Sequence, residues 1–188
     1  MRKLKYVAPV VKWAGGKRQL LEVLTPLLPR RITTYCEPFL GGGALLFWKQ
    51  PKTAVINDIN GDLMRTYQVI RDDVESLITE LKKHPNEAKH FYEVRNWDRD
   101  PDQYAMRTEV EKAARLLYLN KTCYNGLFRV NKAGHFNTPF GAYKNPSIVN
   151  EQTLRAVSKY FQRANITFSC QDYQRVLATL PRGSFVYL

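Results

Sequence analysis

Residues 32–58 run ITTYCEPF, LGGG, ALLFWKQ and, after two linking residues, TAVIND. An apolar run, a glycine turn, a brief apolar helix and a β-branched run make a strand–turn–helix–strand unit. Antiparallel strands can be joined by two residues, but parallel strands need a crossover, usually a helix. The helix between these two runs therefore commits them to a parallel sheet, and the sheet to an α/β fold. The same alternation returns at the other end, where EQTLRAVSKYFQRA precedes NITFSC, and DYQRVLATL precedes SFVYL. Upstream, VAPVVKWAGGK reads as an extended stretch entering a glycine turn, and RQLLEVLTPLL as a short helix closed by Pro26 and Pro29.

Between these two α/β portions the pattern changes. From about Asn60 to Thr122 the segments DLMRTYQVI, DVESLITELKKH, NEAKHFYEVRNW and TEVEKAARLLYLNK carry apolar residues at helical period. In the last of these, Val110, Ala114, Leu117 and Lys121 share one face, with Ala113, Leu116 and Asn120 beside it. TCYNGLFRVNKAGHFNTPFGAYKNP follows, rich in Asn, Gly, aromatic and basic residues. It reads as a long loop or hairpin, and such loops in compact domains are usually functional. The expected organisation is an α/β core of residues 1–59 and 147–188, interrupted by an inserted unit of residues 60–146.

Charge narrows the function. The 188 residues carry 29 Lys and Arg against 17 Asp and Glu, a net charge of +12, which favours a polyanion such as nucleic acid. Cys36, Cys123 and Cys170 lie far apart with no CxxC pair, which argues against a zinc site and a disulfide framework and fits a reducing cytoplasm. No metal is expected. The apolar run near the start is short and broken by Pro9 and Lys12, so it does not read as a signal peptide; no stretch is long enough to span a membrane.

Three stretches carry candidate chemistry. In EPFLGGGALLF, Gly41, Gly42 and Gly43 let backbone approach a ligand at the head of a helix. The dinucleotide fingerprint is not completed, because Leu46 stands where its last glycine would be. Asp58, at the end of the next strand, can accept hydrogen bonds from a ribose diol, or can cap the helix that follows; the two roles are compatible. KWAGGKRQL is not a phosphate loop, since Val11 and Arg18 replace the required Gly and Ser/Thr, but Lys17 after two glycines suits an anion or a plain turn. In YNGLFRVNKAGHFNTPFG, aromatic, Arg and Lys side chains interleave as in base-stacking and guanine-reading segments, while Phe136 and Phe140 read as core packing. His135 has no partner at metal-ligand spacing and reads as a surface or nucleic-acid-facing residue.

The set KWAGGK, EPFLGGGALLF, NDIN, YNGLFRVNKAGHFNTPFG and FSCQDY, in this order, resembles the Dam-type DNA adenine-N6 methyltransferases, including GATC-specific ones of restriction systems. The resemblance implies a Rossmann-like core that binds S-adenosylmethionine, with an inserted helical and hairpin target-recognition domain. It places Trp13 and Lys17 near the methionine end of the cofactor, and Glu37, Phe39, Gly41 and Gly43 on the cofactor loop. It makes Asp58 the ribose carboxylate and sets Asp172 and Tyr173 beside the adenine, although Asp172 also reads as a helix cap. On the side of double-stranded DNA it implies Arg129 as guanine reader, Leu127 and Pro139 as thymine-methyl contacts, and Tyr124 as the side chain inserted near a flipped base. Lys12 and Lys132 would be further DNA contacts, Lys132 to a phosphate.

In that family an Asp-Pro-Pro-Tyr motif holds the adenine amino group, and it is absent from this sequence; NTPF and Asp100-Pro101 lack its spacing. The motif follows a strand like SFVYL in the family, so it is expected after Leu188, no visible residue is assigned as catalytic, and residues 1–188 alone are expected to be inactive and poorly soluble. A non-catalytic module binding S-adenosylmethionine and DNA is the alternative, and methylation of RNA or protein a third reading. A cognate restriction endonuclease is a partner the resemblance allows, and the oligomeric state stays open.

Overall fold

The structure is a computed structural model describing residues 3–188. Its centre is a four-stranded sheet, β1 (Tyr35–Glu37), β2 (Thr53–Asn57), β3 (Asn165–Ser169) and β4 (Phe185–Val186), in the order β3-β2-β1-β4. Every pairing is parallel. The unit that constrains the sequence most is thus present: β1 passes through a glycine turn and α2 (Ala44–Lys49) into β2, its neighbour.

Three helices converge on this sheet. They are α2, α3 (Gly61–Asp72) and α8 (Glu151–Arg163). Phe47 of α2, Tyr67 of α3 and Phe161 of α8 meet with ring centroids 5.8–6.0 Å apart, and Phe161 also meets Phe168 of β3 edge-on at 5.1 Å. Each such aromatic pair adds about 0.5–1.5 kcal/mol beyond its burial.

The middle is helical, as its periodicity requires. After α3 come α4 (Val74–Leu81), α5 (Ala88–Arg95), α6 (Pro101–Met106) and α7 (Glu109–Thr122). Asn60, Asp73, Asp100 and Thr108 cap α3, α4, α6 and α7 through their side chains, and Thr108 forms a capping box with Glu111. The cap of α3 is therefore Asn60 rather than Asp58. α3 packs on both α7 and α8, so no gap in packing falls at residue 60. α7 is buried almost all round, including Arg115, Tyr118 and Asn120. Its single-faced sequence pattern understates this because α3, α4 and α5 all pack against it.

Several segments differ from their sequence readings. α6 was masked by Pro101, which stands at the first turn of the helix, where its missing N–H costs nothing. The helical segment at Arg18–Leu27, which includes α1 (Leu21–Leu24), runs through Pro26 and ends at Leu28, extended before Pro29. β1 and β4 are shorter than their apolar runs, because strand pairing, not composition, sets their length. The helix that follows β3, α9 (Tyr173–Ala178), begins where the sequence places it, with Asp172 accepting from the Gln174 N–H at 2.8 Å.

Candidate functional site

Ligands of open parallel sheets bind beyond the carboxyl ends of the strands. Here the ends of β1 and β2 are tied into one framework. Leu40 N–H donates to the Asn57 carbonyl at 2.9 Å, and the Asn57 side-chain amide donates to Pro38 and Gln171 carbonyls, each at 3.0 Å. One Asp58 oxygen accepts from Gly41 N–H and the other from Asn60 N–H, both at 2.9 Å, and the Tyr67 hydroxyl donates to the Gly41 carbonyl at 2.9 Å. Both backbone groups of Gly41 are therefore held. Gly41 has a φ of +48°, and a Cβ on it would lie 2.8 Å from the Trp13 ring, so backbone and ring share a space only glycine leaves open.

This framework edges a cavity of about 270 Å³. Trp13, Lys17, Glu37, Phe39, Gly41, Gly43 and Asp58 all line it, so the structure brings together all but two of the expected cofactor residues. Asp172 and Tyr173 stand outside it, at the start of α9 just after Gln171, which Asn57 holds, and the Tyr173 ring lies 5.2 Å from that of Phe39. Glu37 is buried and accepts from the Tyr35 hydroxyl at 2.7 Å. Burial pushes its carboxyl up to about 7, against the opposing effect of that hydrogen bond. Lys17 is exposed, donates to its own Gly15 carbonyl at 2.9 Å, and forms no ion pair among the described residues.

The second group of residues lies on the segment after α7. It is a hairpin with little ladder: Cys123 bridges Phe140 and Val130 bridges Phe136, both antiparallel. Side chains supply the rest. Thr138 donates its hydroxyl to the Leu127 carbonyl at 2.7 Å, and Asn137 accepts from Arg129 Nε at 2.7 Å. Tyr124 N–H donates to the Pro139 carbonyl at 2.9 Å, which sets these two side by side. Tyr124, Leu127, Arg129, Lys132, Pro139 and Lys12 are all exposed. Phe136 is buried and Phe140 half-buried against Phe91, as the sequence indicates.

Two contacts join hairpin and cavity. Trp13, which lines the cavity, stacks on Phe128 of the hairpin at 4.9 Å and 22°. Asn120 of α7 accepts from Lys12 N–H at 2.8 Å and donates to the Lys12 and Gly126 carbonyls at 2.8 and 3.0 Å. Gly126 faces Lys12 so closely that a Cβ would lie 2.4 Å from the Lys12 side chain.

The family model described as D12 class N6 adenine-specific DNA methyltransferase matches residues 13–188. The chain belongs to this family. It is 41% identical over 181 residues to a type II methyltransferase of Lactococcus lactis subsp. cremoris, covering 95% of this chain and 63% of that protein. A type II methyltransferase of Methanocaldococcus jannaschii is 42% identical over 200 residues, covering 96% of this chain and 68% of that one. The retron Ec67 DNA adenine methylase of Escherichia coli is 34% identical over 187 residues, covering 96% and 62%. The chain thus spans about two thirds of the length of these relatives.

Within this D12-family chain, sequence reading passed over the residues that hold the site rather than face a ligand. Tyr67 and Asn120 sit in helical segments whose periodicity explains them as core or surface, and Asp98 falls just after such a segment. Only the partner groups, carbonyls and N–H groups far along the chain, give them a role. Asn57 had a signal, being part of NDIN beside Asp58.

Proposed function

We propose that this chain carries the S-adenosylmethionine site and the DNA-reading surface of a site-specific DNA methyltransferase acting on N6 of adenine. The observation that carries the reading is the junction at Trp13, which puts a glycine-lined cavity and a row of exposed basic and aromatic side chains on either side of one ring. When bound, S-adenosylmethionine supplies an electrophilic methyl on a sulfonium centre.

The residues fit that group. Gly41 leaves the close backbone approach that a Cβ would fill. The buried Glu37 carboxylate gains a cation to face, which offsets its desolvation. Asp58 already has both oxygens fixed by backbone N–H groups, and each keeps acceptor capacity for a ribose hydroxyl. Phe39, which lines the cavity with Asp58, forms an aromatic pair with Tyr173 suited to adenine, and Asp172 would serve its amino group. Trp13 and Lys17, which line the cavity, would hold the methionine end.

Adenine N6 is a poor nucleophile because its lone pair is delocalised into the ring, and the base must leave the duplex to be reached. Tyr124, more than half exposed, would fill the gap in the stack. The Arg129 guanidinium is held through Nε and one terminal nitrogen by Asn137, which leaves its outer edge for O6 and N7 of guanine. Leu127 and Pro139 offer apolar contact to thymine methyls, and Lys12 and Lys132 positive charge; together they suit GATC. In this scheme residues 60–146 form the recognition unit, and the remainder the cofactor core. No side chain among the described residues is assigned to hold the N6 amino group.

The test is twofold. S-Adenosylmethionine should bind saturably in calorimetry and lose affinity in Asp58→Ala. The full-length protein should transfer labelled methyl to adenine N6 of GATC-containing duplexes, with DNA affinity falling steeply with salt. Binding of cofactor and DNA without any adenine methylation by the full-length protein would sink the reading.

A further inference from the structure

A charged cluster that lines no described cavity supports the hairpin at Phe136. Asp98 and Arg99 follow α5 in a single 3-10 turn, Asn96–Arg99. Asp98 accepts from the Phe136 N–H at 3.0 Å, and Arg99 donates to the Phe136 carbonyl at 2.6 Å. Adjacent side chains thus hold both polar backbone groups of one hairpin residue. Asp98 also pairs with Arg99 and with Arg115 of α7, the latter at 2.7 Å. Arg115 is buried and fixed in turn to the Val94 and Arg95 carbonyls at 3.0 and 2.8 Å.

Burying such charges costs several kcal/mol per ion unless geometry compensates, and apolar replacements often stabilise as well. The cluster's output is therefore informative, and here it is the placement of Phe136. That residue packs edge-on against Phe128 at 5.7 Å and bridges Val130. The next residue, Asn137, donates its N–H to the Arg129 carbonyl at 3.0 Å and holds the Arg129 side chain. A continuous series of contacts runs from Arg115 through Asp98 and Arg99 to the direction of the Arg129 fork.

We infer that Asp98 and Arg99 are positioning residues for base discrimination: they clamp Phe136 and so aim Arg129. This rests on the DNA-reading role proposed for the hairpin. A bidentate contact depends on angle, so loosening the clamp should reduce discrimination at one base pair without weakening phosphate contacts.

The test uses Arg99→Met, which keeps the stem and removes the fork at a partly exposed position, and Arg99→Lys, which keeps one donor for the Phe136 carbonyl. Affinities of the full chain are measured for a GATC duplex and for duplexes changed one base pair at a time, with S-adenosylmethionine affinity alongside and Arg129→Ala as reference. Arg99→Met should lose about tenfold of the discrimination at the base pair that Arg129→Ala also relaxes, with cofactor affinity unchanged and partial recovery in Arg99→Lys. An equal loss for all duplexes, or intact discrimination in Arg99→Met while Arg129→Ala loses it, overturns the positioning role. A wild-type chain that does not discriminate, or an Arg129→Ala variant that discriminates as well as wild type, removes the DNA-reading premise instead.

Discussion

The glycine turn after β1 and the hairpin after α7 are both irregular, glycine-containing and exposed to ligand, yet they are held in different ways. The turn is tied at the strand ends by the Leu40–Asn57 backbone bond, with Gly41 pinned by the side chains of Asp58 and, from α3, Tyr67, and the parallel ladder lies directly behind. The hairpin has two isolated bridges, and its shape comes from side chains of Asp98, Arg99, Asn120, Asn137 and Thr138. A turn pinned directly beyond a parallel ladder tolerates little change in its backbone. A site built on side chains can be re-aimed by single substitutions. That division suits a constant cofactor and a variable DNA sequence.

The sharpest way to break the comparison is to unpin the turn. Asp58→Ala frees two backbone N–H groups and removes the expected ribose acceptor. S-Adenosylmethionine affinity should fall roughly 100-fold, about 3 kcal/mol, in calorimetry, while duplex DNA affinity changes by less than about twofold. Comparable losses in both would show that the two regions are not independent.

Arg129→Ala should act in the mirror sense. Discrimination against a base-pair change at its guanine should drop by about tenfold or more in competition binding, with cofactor affinity unchanged.

Titration offers a third probe, because the turn and the helical region that carries the hairpin have opposite pH dependences. Glu37, beside the turn, is pushed by burial from 4.5 to about 7. The folded chain then holds more protons than the unfolded one between about pH 4.5 and 7, so this group's contribution to stability falls as pH rises through that window. His84, in the helical region, is lowered to about 4 by burial and by His90, whose Nε2 lies 2.8 Å from His84 Nδ1. Its contribution falls as pH drops from about 6.5 towards 4. Melting temperature should therefore fall less on raising the pH from about 4.5 to 7 in Glu37→Gln than in the wild type, and less on lowering it from about 6.5 towards 4 in His84→Gln. Cofactor binding below about pH 7 should release a proton in the wild type and none in Glu37→Gln.

The smallest effect tests the hairpin's support. Thr138→Val keeps the shape and leaves the Leu127 carbonyl without its 2.7 Å donor, so stability should fall by about 1 kcal/mol, read as a lower denaturant midpoint at unchanged slope.

The parts of this molecule legible in its sequence were those governed by local rules. The β1–α2–β2 unit, the capped helices and α9 follow from period, caps and turns, because their causes lie within a few residues. Cavity residues such as Gly41 and Asp58 were legible because glycines beside a strand and an acid after the next strand form a short-range pattern. Asn120 was not, since its three bonds reach Lys12 and Gly126, and no spacing rule connects residues 108 positions apart. Arg115 and Tyr118 lie outside the apolar face legible in α7, and they are buried because α3, α4 and α5 all pack round that helix. The α6 helix was lost to a proline whose effect depends on whether it opens or interrupts a turn.

The fit of Gly126 against Lys12, with Asn120 bonded to both, has a consequence for exchanging recognition segments between relatives. The hairpin is not a cassette. Its seat is made partly from backbone over 100 residues upstream, so a transplant bounded at Tyr124 and Gly141 would carry the readers and leave behind half of the socket. A functional swap has to move the Lys12–Trp13 stretch and the end of α7 as one part with the hairpin.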